Sequence, residues 1–189
     1  MPPPVRRHFL QGLMALLLLA WLGSAQAQGV ELATLQTNRD ETGAVNLEFV
    51  VRLNLPRAVE DAMQRGVPVY FVAEAQLRRS RWYWRDERVA RVHRTWRVAY
   101  QPLTGSWRVG LGGLNQSFVS LTEALASVTR SAGWKLADAT QVDADKDYYL
   151  EFSYRLDSSQ LPGPMQFGLG GQGDWAVGVS RTVKVEVTP

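Results

Sequence analysis

The segment VPVYFVAEAQL (residues 67–77) places an apolar side chain at every second position. The segment YYLEFSYRL (residues 148–156) follows the same pattern. Because neighbouring side chains of a β-strand point to opposite faces, each segment predicts a strand with one face in the core and the other in solvent. The core-facing residues are Val67, Val69, Phe71, Ala73, Ala75 and Leu77 in the first segment, and Tyr148, Leu150, Phe152, Tyr154 and Leu156 in the second.

Outward from these two segments, the chain shows further strand patterns separated by short turns. Alternation is clear at 45–53, where only Val50 interrupts it. Further strands are predicted at 30–36, 81–87, 88–101, 106–111 and 175–187. Since the connections are short, neighbouring strands are expected to pair antiparallel. The sequence therefore predicts a mainly β protein, an antiparallel β-sandwich or strongly bent sheet with two short α-helices.

The two helices have recognisable ends. The first is predicted over 56–65, with Pro56 near its first turn and Gly66 beyond its end. The second opens at Ser120, which forms a capping box with Glu123, and Gly133 is expected to end it.

The strand predicted at 88–101 carries a cation on its apolar face. That face contains Ala90, Val92, Trp96, Val98 and Tyr100, and the opposite face contains Arg91, His93, Thr95 and Arg97. Arg94 falls among the apolar residues. Two explanations are open: either Arg94 lies near a strand end and its guanidinium reaches water, or it pairs with an acid.

The first 27 residues have the pattern of a cleaved export signal. Arg6 and Arg7 precede an apolar run at 13–22, and Ala25-Gln26-Ala27 supplies the small residues of a cleavage site. The run is shorter than the ~20 residues that span a membrane, and an uncleaved N-terminal anchor is the alternative. We therefore expect a signal peptide over 1–27, for either the general or the twin-arginine route, and a single β-rich domain over 28–189.

Composition excludes several classes of function. The 189-residue chain contains no cysteine, which excludes disulfides, thiolate metal sites and cysteine nucleophiles. Loss of Arg6 and Arg7 with the signal leaves 19 basic residues against 18 acidic, so the net charge of +3 falls to +1 and gives little support for nucleic-acid binding. His8 lies in the predicted signal, so His93 is the one histidine of the mature chain. It lies among arginines, and a single imidazole cannot build the usual histidine metal site. We therefore expect no catalytic histidine, metal or cofactor.

Two segments resemble known motifs, but each lacks part of the pattern. The alternating carboxylates of 143–147 are similar to the start of a calcium loop, although Tyr148 and Tyr154 occupy positions that need glycine and glutamate. The glycines of 168–173 have dinucleotide-binding spacing, but they precede a predicted strand rather than a helix. We expect neither segment to bind the corresponding ligand.

The most unusual part of the sequence is the segment from Arg78 to Arg108, which is rich in arginine and tryptophan. Nine arginines against Asp86 and Glu87 give it a local charge of +7. Arginine forks and aromatic faces suit phosphates, carboxylates and protein interfaces. A solvated strand face, whose arginines pair with acids on neighbouring strands, remains an open alternative. The candidate binding residues are Arg81, Trp82, Tyr83, Trp84, Arg85, Arg91, His93 and Arg97.

A series of short motifs runs along the chain in a defined order. They are Arg81-Trp82-Tyr83-Trp84 with Asp86-Glu87, the Leu103-Thr104 turn into Trp107-Arg108-Val109, Gly113-Leu114 before Gln116-Ser117-Phe118, Leu121 with Glu123-Ala124-Leu125, Gly133-Trp134, Leu156-Asp157 with Ser159-Gln160-Leu161-Pro162, and Asp174-Trp175. Together they resemble the bacterial family called domain of unknown function 4390. The resemblance implies a small exported protein of proteobacterial type, with no established activity or catalytic residues. By association, it also implies an extracytoplasmic partner for a membrane sensor kinase.

Three functions are compatible with these observations. The leading hypothesis is a non-enzymatic periplasmic binding or accessory protein, without a stable membrane span after cleavage. Its arginine-rich and tryptophan-rich strands would contact a sensor's outer domain or an anionic envelope component. The second is a structural envelope protein without a ligand, in which Trp82 and Trp84 fill the core from one strand face. The third is an unrecognised hydrolase that uses carboxylates.

Overall fold

A computed structural model describes residues 29–83, 85–143, 145–161 and 175–185. Within these ranges the strands are β1 (Val30–Arg39), β2 (Val45–Leu53), β3 (Val69–Arg79), β4 (Glu87–Gln101), β5 (Ser106–Leu111), β6 (Leu114–Phe118), β7 (Arg130–Ala137), β8 (Tyr148–Leu156) and β9 (Gly178–Val185). The α-helices are α1 (Arg57–Gln64) and α2 (Leu121–Val128). The predicted signal peptide at 1–27, Trp84 and the glycines of 168–173 lie outside the described residues. No helix in the described ranges has the length and apolar character needed to cross a membrane.

The strands form two antiparallel sheets. The smaller sheet has the order β1-β2-β7, and the larger has the order β6-β5-β4-β3-β8-β9. β3 lies inside the larger sheet, where it pairs with β4 on one side and with β8 on the other. The predicted fold, mainly β with antiparallel sheets and two short helices, is confirmed.

The core lies between the two sheets and is rich in aromatic rings. Phe49 of β2 is fully buried. Its ring lies 6.4 Å from Trp96 on β4 and 5.0 Å from Phe152 on β8, measured between ring centroids. It also lies 6.2 Å from Trp134 and 6.1 Å from Tyr154. One side chain of the smaller sheet therefore contacts two strands of the larger sheet.

The strand predicted at 81–87 is wrong, because this segment contains the turn between β3 and β4. The register pairs Arg78 with Arg88 and Arg79 with Glu87, so the chain must reverse between these positions. Trp82 lies in the turn and is 93% exposed. Trp82 therefore does not fill the core. The hypothesis of a structural envelope protein needs this residue in the core, so the structure does not support it on this point.

Gly133 does not end the second helix. The cap at Ser120 is confirmed, since its hydroxyl accepts a hydrogen bond from the backbone N–H of Glu123 at 3.2 Å. The helix ends at Val128, however, and Gly133 lies inside β7 with φ +59°. The register between β2 and β7 shifts at this point, and a glycine readily adopts the left-handed conformation of such a bulge. Pairing with β2 therefore overrides the local stop signal.

Asp40 in the turn between β1 and β2 provides a pH-dependent test of the fold. Its carboxylate accepts hydrogen bonds from the Thr42 hydroxyl at 2.6 Å, the Asn46 side chain at 3.0 Å, and the backbone N–H groups of Thr42 and Ala44. The hydrogen bonds from the Thr42 and Asn46 side chains are the largest causes that lower its pKa to about 2. We expect NMR titration of the Asp40 carboxyl carbon to give this value.

The lowered pKa of Asp40 implies a stability contribution with a definite sign. The contribution is fully present above the unfolded-state pKa of ~3.9 and is lost as the pH falls through about 2. The Asp40→Asn variant should therefore melt below the wild type at neutral pH and approach it as the pH falls through this window. Titration of Asp40 at its ordinary value, or a melting difference that does not change with pH, would contradict the prediction.

Candidate functional site

The face of the larger sheet that points away from the smaller sheet, called here the outer face, carries three of the predicted candidates. Arg91, His93 and Arg97 occupy alternate positions on β4 and are all exposed. Trp96 and Val98, the neighbours of Arg97 along the strand, are buried in the core. The alternation in the sequence therefore assigned these three residues to the correct face.

The centre of the outer face is neutralised by cross-strand ion pairs. Arg91 donates from Nε and Nη2 to the two carboxylate oxygens of Glu74, each at 3.0 Å. Chiefly through this hydrogen bonding, Arg91 lowers the pKa of Glu74. Arg78 Nε donates to Glu151 at 2.9 Å in the same way. Arg91 and Arg78 therefore pair with acids on neighbouring strands, as expected for a solvated strand face rather than for a binding surface.

A second group of candidates lies at residues 80–83 and 85–86, called here the aromatic turn. Trp82 is 93% and Tyr83 67% exposed, and their rings meet edge to face with centroids 5.1 Å apart. Arg85 and, just beyond the turn, Arg88 are also exposed, and neither forms an ion pair within the described part of the chain. Solvent-facing aromatic rings beside unpaired guanidinium groups make this turn chemically distinct from the centre of the outer face.

The base of the aromatic turn is held by hydrogen bonds and ion pairs. Asp86 accepts from the Tyr149 hydroxyl at 2.6 Å and from the backbone N–H of Arg81 at 3.2 Å, and its pKa is lowered for these reasons. Glu87 forms ion pairs with both Arg79 and Arg81. Hydrogen bonding from Arg79 is the main cause that lowers the pKa of Glu87. Both carboxylates are therefore ionised at neutral pH.

Arg94 does not belong to either group, and both explanations proposed for it are wrong. It lies in the middle of β4 and has no acidic partner among the described residues. Instead, Nη1 donates to the Ser131 hydroxyl at 2.6 Å, and the guanidinium carbon lies 4.9 Å from the centre of the Trp134 ring. Burial lowers the pKa of Arg94. Its guanidinium joins β4 to β7 of the other sheet and is not presented on the outer face.

A groove of about 340 Å³ crosses β3, β8 and β9. Its lining consists of Glu74, Gln76, Glu151, Phe152, Ser153, Ser180, Arg181 and Thr182. Glu74 and Glu151 already bind Arg91 and Arg78, and the lowered pKa of Glu74 opposes its use as a proton donor. Glycosidic hydrolysis needs a carboxyl group with a raised pKa, which is the opposite of the effect on Glu74.

The carboxylates that resemble a calcium loop pair with nearby cations. Asp143 lies 3.4 Å from Arg79, Asp145 lies 3.0 Å from Lys146, and Asp147 lies 3.0 Å from Lys184. Among the described residues, no group of three or more histidine or acidic side chains is arranged to hold a metal ion.

Sequence reasoning did not include Arg88 and Arg108 among the candidate residues. Both are exposed, and neither has an acidic partner in the described ranges. For Arg108, a signal was present, because it alternates with Trp107 and Val109, which are buried. For Arg88, the mistaken strand at 81–87 concealed its position beside the turn.

Comparison with protein families gives a match over most of the chain. The family model described as "Domain of unknown function (DUF4390)" matches residues 27–185, a range that contains every strand and helix described above. No curated protein and no solved structure matches the chain.

Proposed function

The chain belongs to the DUF4390 family, and on that premise we propose that it is an exported, non-enzymatic recognition protein whose aromatic turn binds an acidic surface of a partner protein. The observation that carries the proposal is the exposure of Trp82 and Tyr83 above a base fixed by hydrogen bonds. The partner suggested by the sequence resemblance is the extracytoplasmic domain of a membrane sensor kinase.

The aromatic residues supply the apolar part of the proposed interface. Tryptophan, tyrosine and arginine are the residues most enriched among those that dominate binding energy at protein interfaces. A tryptophan side chain buries roughly 150–250 Å² when it is covered. Trp82 and Tyr83 expose their rings side by side, so a partner that covers one ring also reaches the other.

The base of the turn reduces the entropic cost of binding. Asp86 and Glu87 hold Arg79, Arg81 and Tyr149 around the two ends of the turn. A loop that is already ordered before association loses less conformational freedom when it binds. The hydrogen bonds at the base are therefore consistent with a turn that is ordered before it binds a partner.

The unpaired cations beside the turn define the charge of the partner. Arg85 and Arg88 add two positive charges that no acid in the described residues offsets. Complementary charge on a partner accelerates association and excludes cationic competitors. The proposed partner surface is therefore acidic around an apolar centre.

The other two functional hypotheses have weaker support. The structural envelope protein was suggested by tryptophans that fill the core, whereas Trp82 is exposed. The carboxylate hydrolase would need a proton donor, and in the described groove the pKa of Glu74 is lowered rather than raised. Both observations favour a binding protein over these alternatives.

Crosslinking in intact cells tests the aromatic turn. A photoreactive residue replaces Tyr83 in the full chain, and the crosslinked product is quantified with and without Trp82→Ala. Loss of a dominant interface residue costs about 2 kcal/mol or more, so we expect Trp82→Ala to lower capture by roughly tenfold or more. The melting temperature should be unchanged, because Trp82 has no core contacts to lose.

Leu103→Ala is the matched control for this experiment. Leu103 is another fully exposed large apolar residue, and it lies in the turn at the opposite end of β4. Capture at position 83 should remain within about twofold of the wild type, since an exposed residue outside an interface contributes little. Equal effects of Trp82→Ala and Leu103→Ala would overturn the proposal.

A further inference from the structure

We propose that Arg97 and Arg108 form a binding site for a phosphate group on the outer face, separate from the aromatic turn. The register between β4 and β5 places Arg97 opposite Gly110 and Ala99 opposite Arg108. These four residues form a square across the two strands. The two arginines occupy one diagonal, and the two small residues, Ala99 and Gly110, occupy the other.

This arrangement allows both guanidinium groups to reach one ligand. Diagonal neighbours on adjacent strands lie roughly 7–8 Å apart, which is within reach of long side chains. Gly110 has no side chain, and Ala99 carries only a methyl group. Neither residue places a long side chain between the two arginines, and both arginine side chains are exposed to solvent.

Asn115 of β6 borders the square on the side of Gly110. It is the register partner of Gly110, and a Cβ atom added to Gly110 would lie 3.1 Å from Asn115 Oδ1. Asn115 Oδ1 therefore lies over the glycine on the outer face, while Asn115 Nδ2 donates to the backbone carbonyl of Gly113 at 3.5 Å. A side chain at position 110 would displace the Asn115 amide.

The charges of this square are not balanced by acids. Arg97 and Arg108 are exposed, and neither forms an ion pair within the described residues. On the rest of the outer face, the arginines of β3 and β8 and Arg91 of β4 do have acidic partners, as the pairs Arg78–Glu151, Arg91–Glu74 and Arg155–Asp157 show. A bound anion would balance the charge of both arginines.

The geometry of the donors favours phosphate over a carboxylate. Each guanidinium presents a planar fork that matches two oxygens of a phosphate group. Two forks together present more N–H donors than the two oxygens of a carboxylate require. A phosphate with two negative charges would also balance both arginines. Free phosphate and a phospholipid headgroup share this chemistry.

The square is remote from the aromatic turn. Arg97 lies nine residues beyond Arg88 on the same strand, which corresponds to about 30 Å at ~3.3 Å per residue. The phosphate site therefore does not depend on the proposed function, and the two can be tested independently. Trp82→Ala should leave phosphate binding unchanged, and substitution of Arg97 should leave crosslinking at position 83 unchanged.

NMR titration of the protein with inorganic phosphate tests the site, with sodium chloride at equal ionic strength as the reference. We expect saturable shifts of the Gly110 and Asn115 amide signals with millimolar affinity. Arg97→Gln and Arg108→Gln should each weaken binding by roughly tenfold, as expected for loss of a charge-assisted fork. Arg52→Gln, which removes an exposed arginine from β2, should change it by less than about twofold.

Either of two results would overturn the proposal: shifts that chloride reproduces, or equal phosphate binding in the Arg97→Gln, Arg108→Gln and Arg52→Gln variants. Each variant removes an exposed side chain, so unchanged melting temperatures should accompany the expected result.

Flotation with vesicles distinguishes the two sources of phosphate. Binding to vesicles of anionic phospholipid that free phosphate displaces identifies a headgroup ligand, whereas saturable titration without vesicle binding identifies free phosphate.

Discussion

Phe49→Ala should lower the free energy of unfolding by about 3–5 kcal/mol, the cost expected when a fully buried phenylalanine is truncated. The reason is the position of the ring, which is inaccessible to solvent and packs against Trp96, Trp134 and Phe152. Its removal leaves a cavity between the two sheets that these large, constrained rings can only partly fill. Domains of ordinary stability have only ~5–15 kcal/mol in total, so the variant should be close to unfolding.

Urea denaturation at neutral pH measures this effect. The control is Trp82→Ala, which removes a larger aromatic ring from an exposed position and should change the free energy of unfolding by less than about 0.5 kcal/mol. The pair thereby separates an aromatic residue in the core from one on the surface. A cost below about 1 kcal/mol for Phe49→Ala, or comparable costs for both variants, would contradict the assigned core.

The same contrast explains how much of the fold the sequence could predict. β2 and β8 alternate between apolar and polar residues because one face of each lies in the core and the other in solvent. The segment 81–87 has the composition of a strand, with two tryptophans and a tyrosine, yet it contains a turn. Local propensity cannot distinguish the two, because the turn is imposed by pairing between β3 and β4.

β7 shows the opposite failure. Gly133 follows the helix α2 in the sequence, which favours a helix end at this position. The bulged register between β7 and β2 also disrupts the simple alternation of a strand. The strand exists because Trp134 and Ser131 pair with Leu47 and Phe49, residues about 85 positions earlier in the chain. Such long-range pairing leaves little trace in a local sequence window.

For the candidate site, alternation was sufficient to assign a face but not a partner. It placed Arg91, His93 and Arg97 together, and the structure agrees. It could not show that Arg91 binds Glu74 whereas Arg97 lies opposite Tyr70 on β3, because that difference depends on strand register. Register is set jointly by the turn and by the packing of the whole sheet.

Arg94 and Ser131 provide a second large effect on stability, and its size depends on which partner is removed. We expect Ser131→Ala to lower the free energy of unfolding by about 1–3 kcal/mol, because a partly buried charged donor loses its acceptor. Arg94→Met should cost less than about 1 kcal/mol. Its side chain can still pack on Trp134, and the removal of a charge from a site where burial lowers the pKa of the arginine relieves a desolvation cost.

A double-mutant cycle by urea denaturation tests this asymmetry. With methionine at position 94, Ser131→Ala should cost no more than a few tenths of a kcal/mol, about what an exposed substitution costs, since no charged donor remains to be satisfied. If Arg94→Met were as destabilising as Ser131→Ala, the guanidinium itself would contribute the stability through its contact with Trp134. Arg94 would then be a net stabilising link between the two sheets rather than a charge that Ser131 makes tolerable.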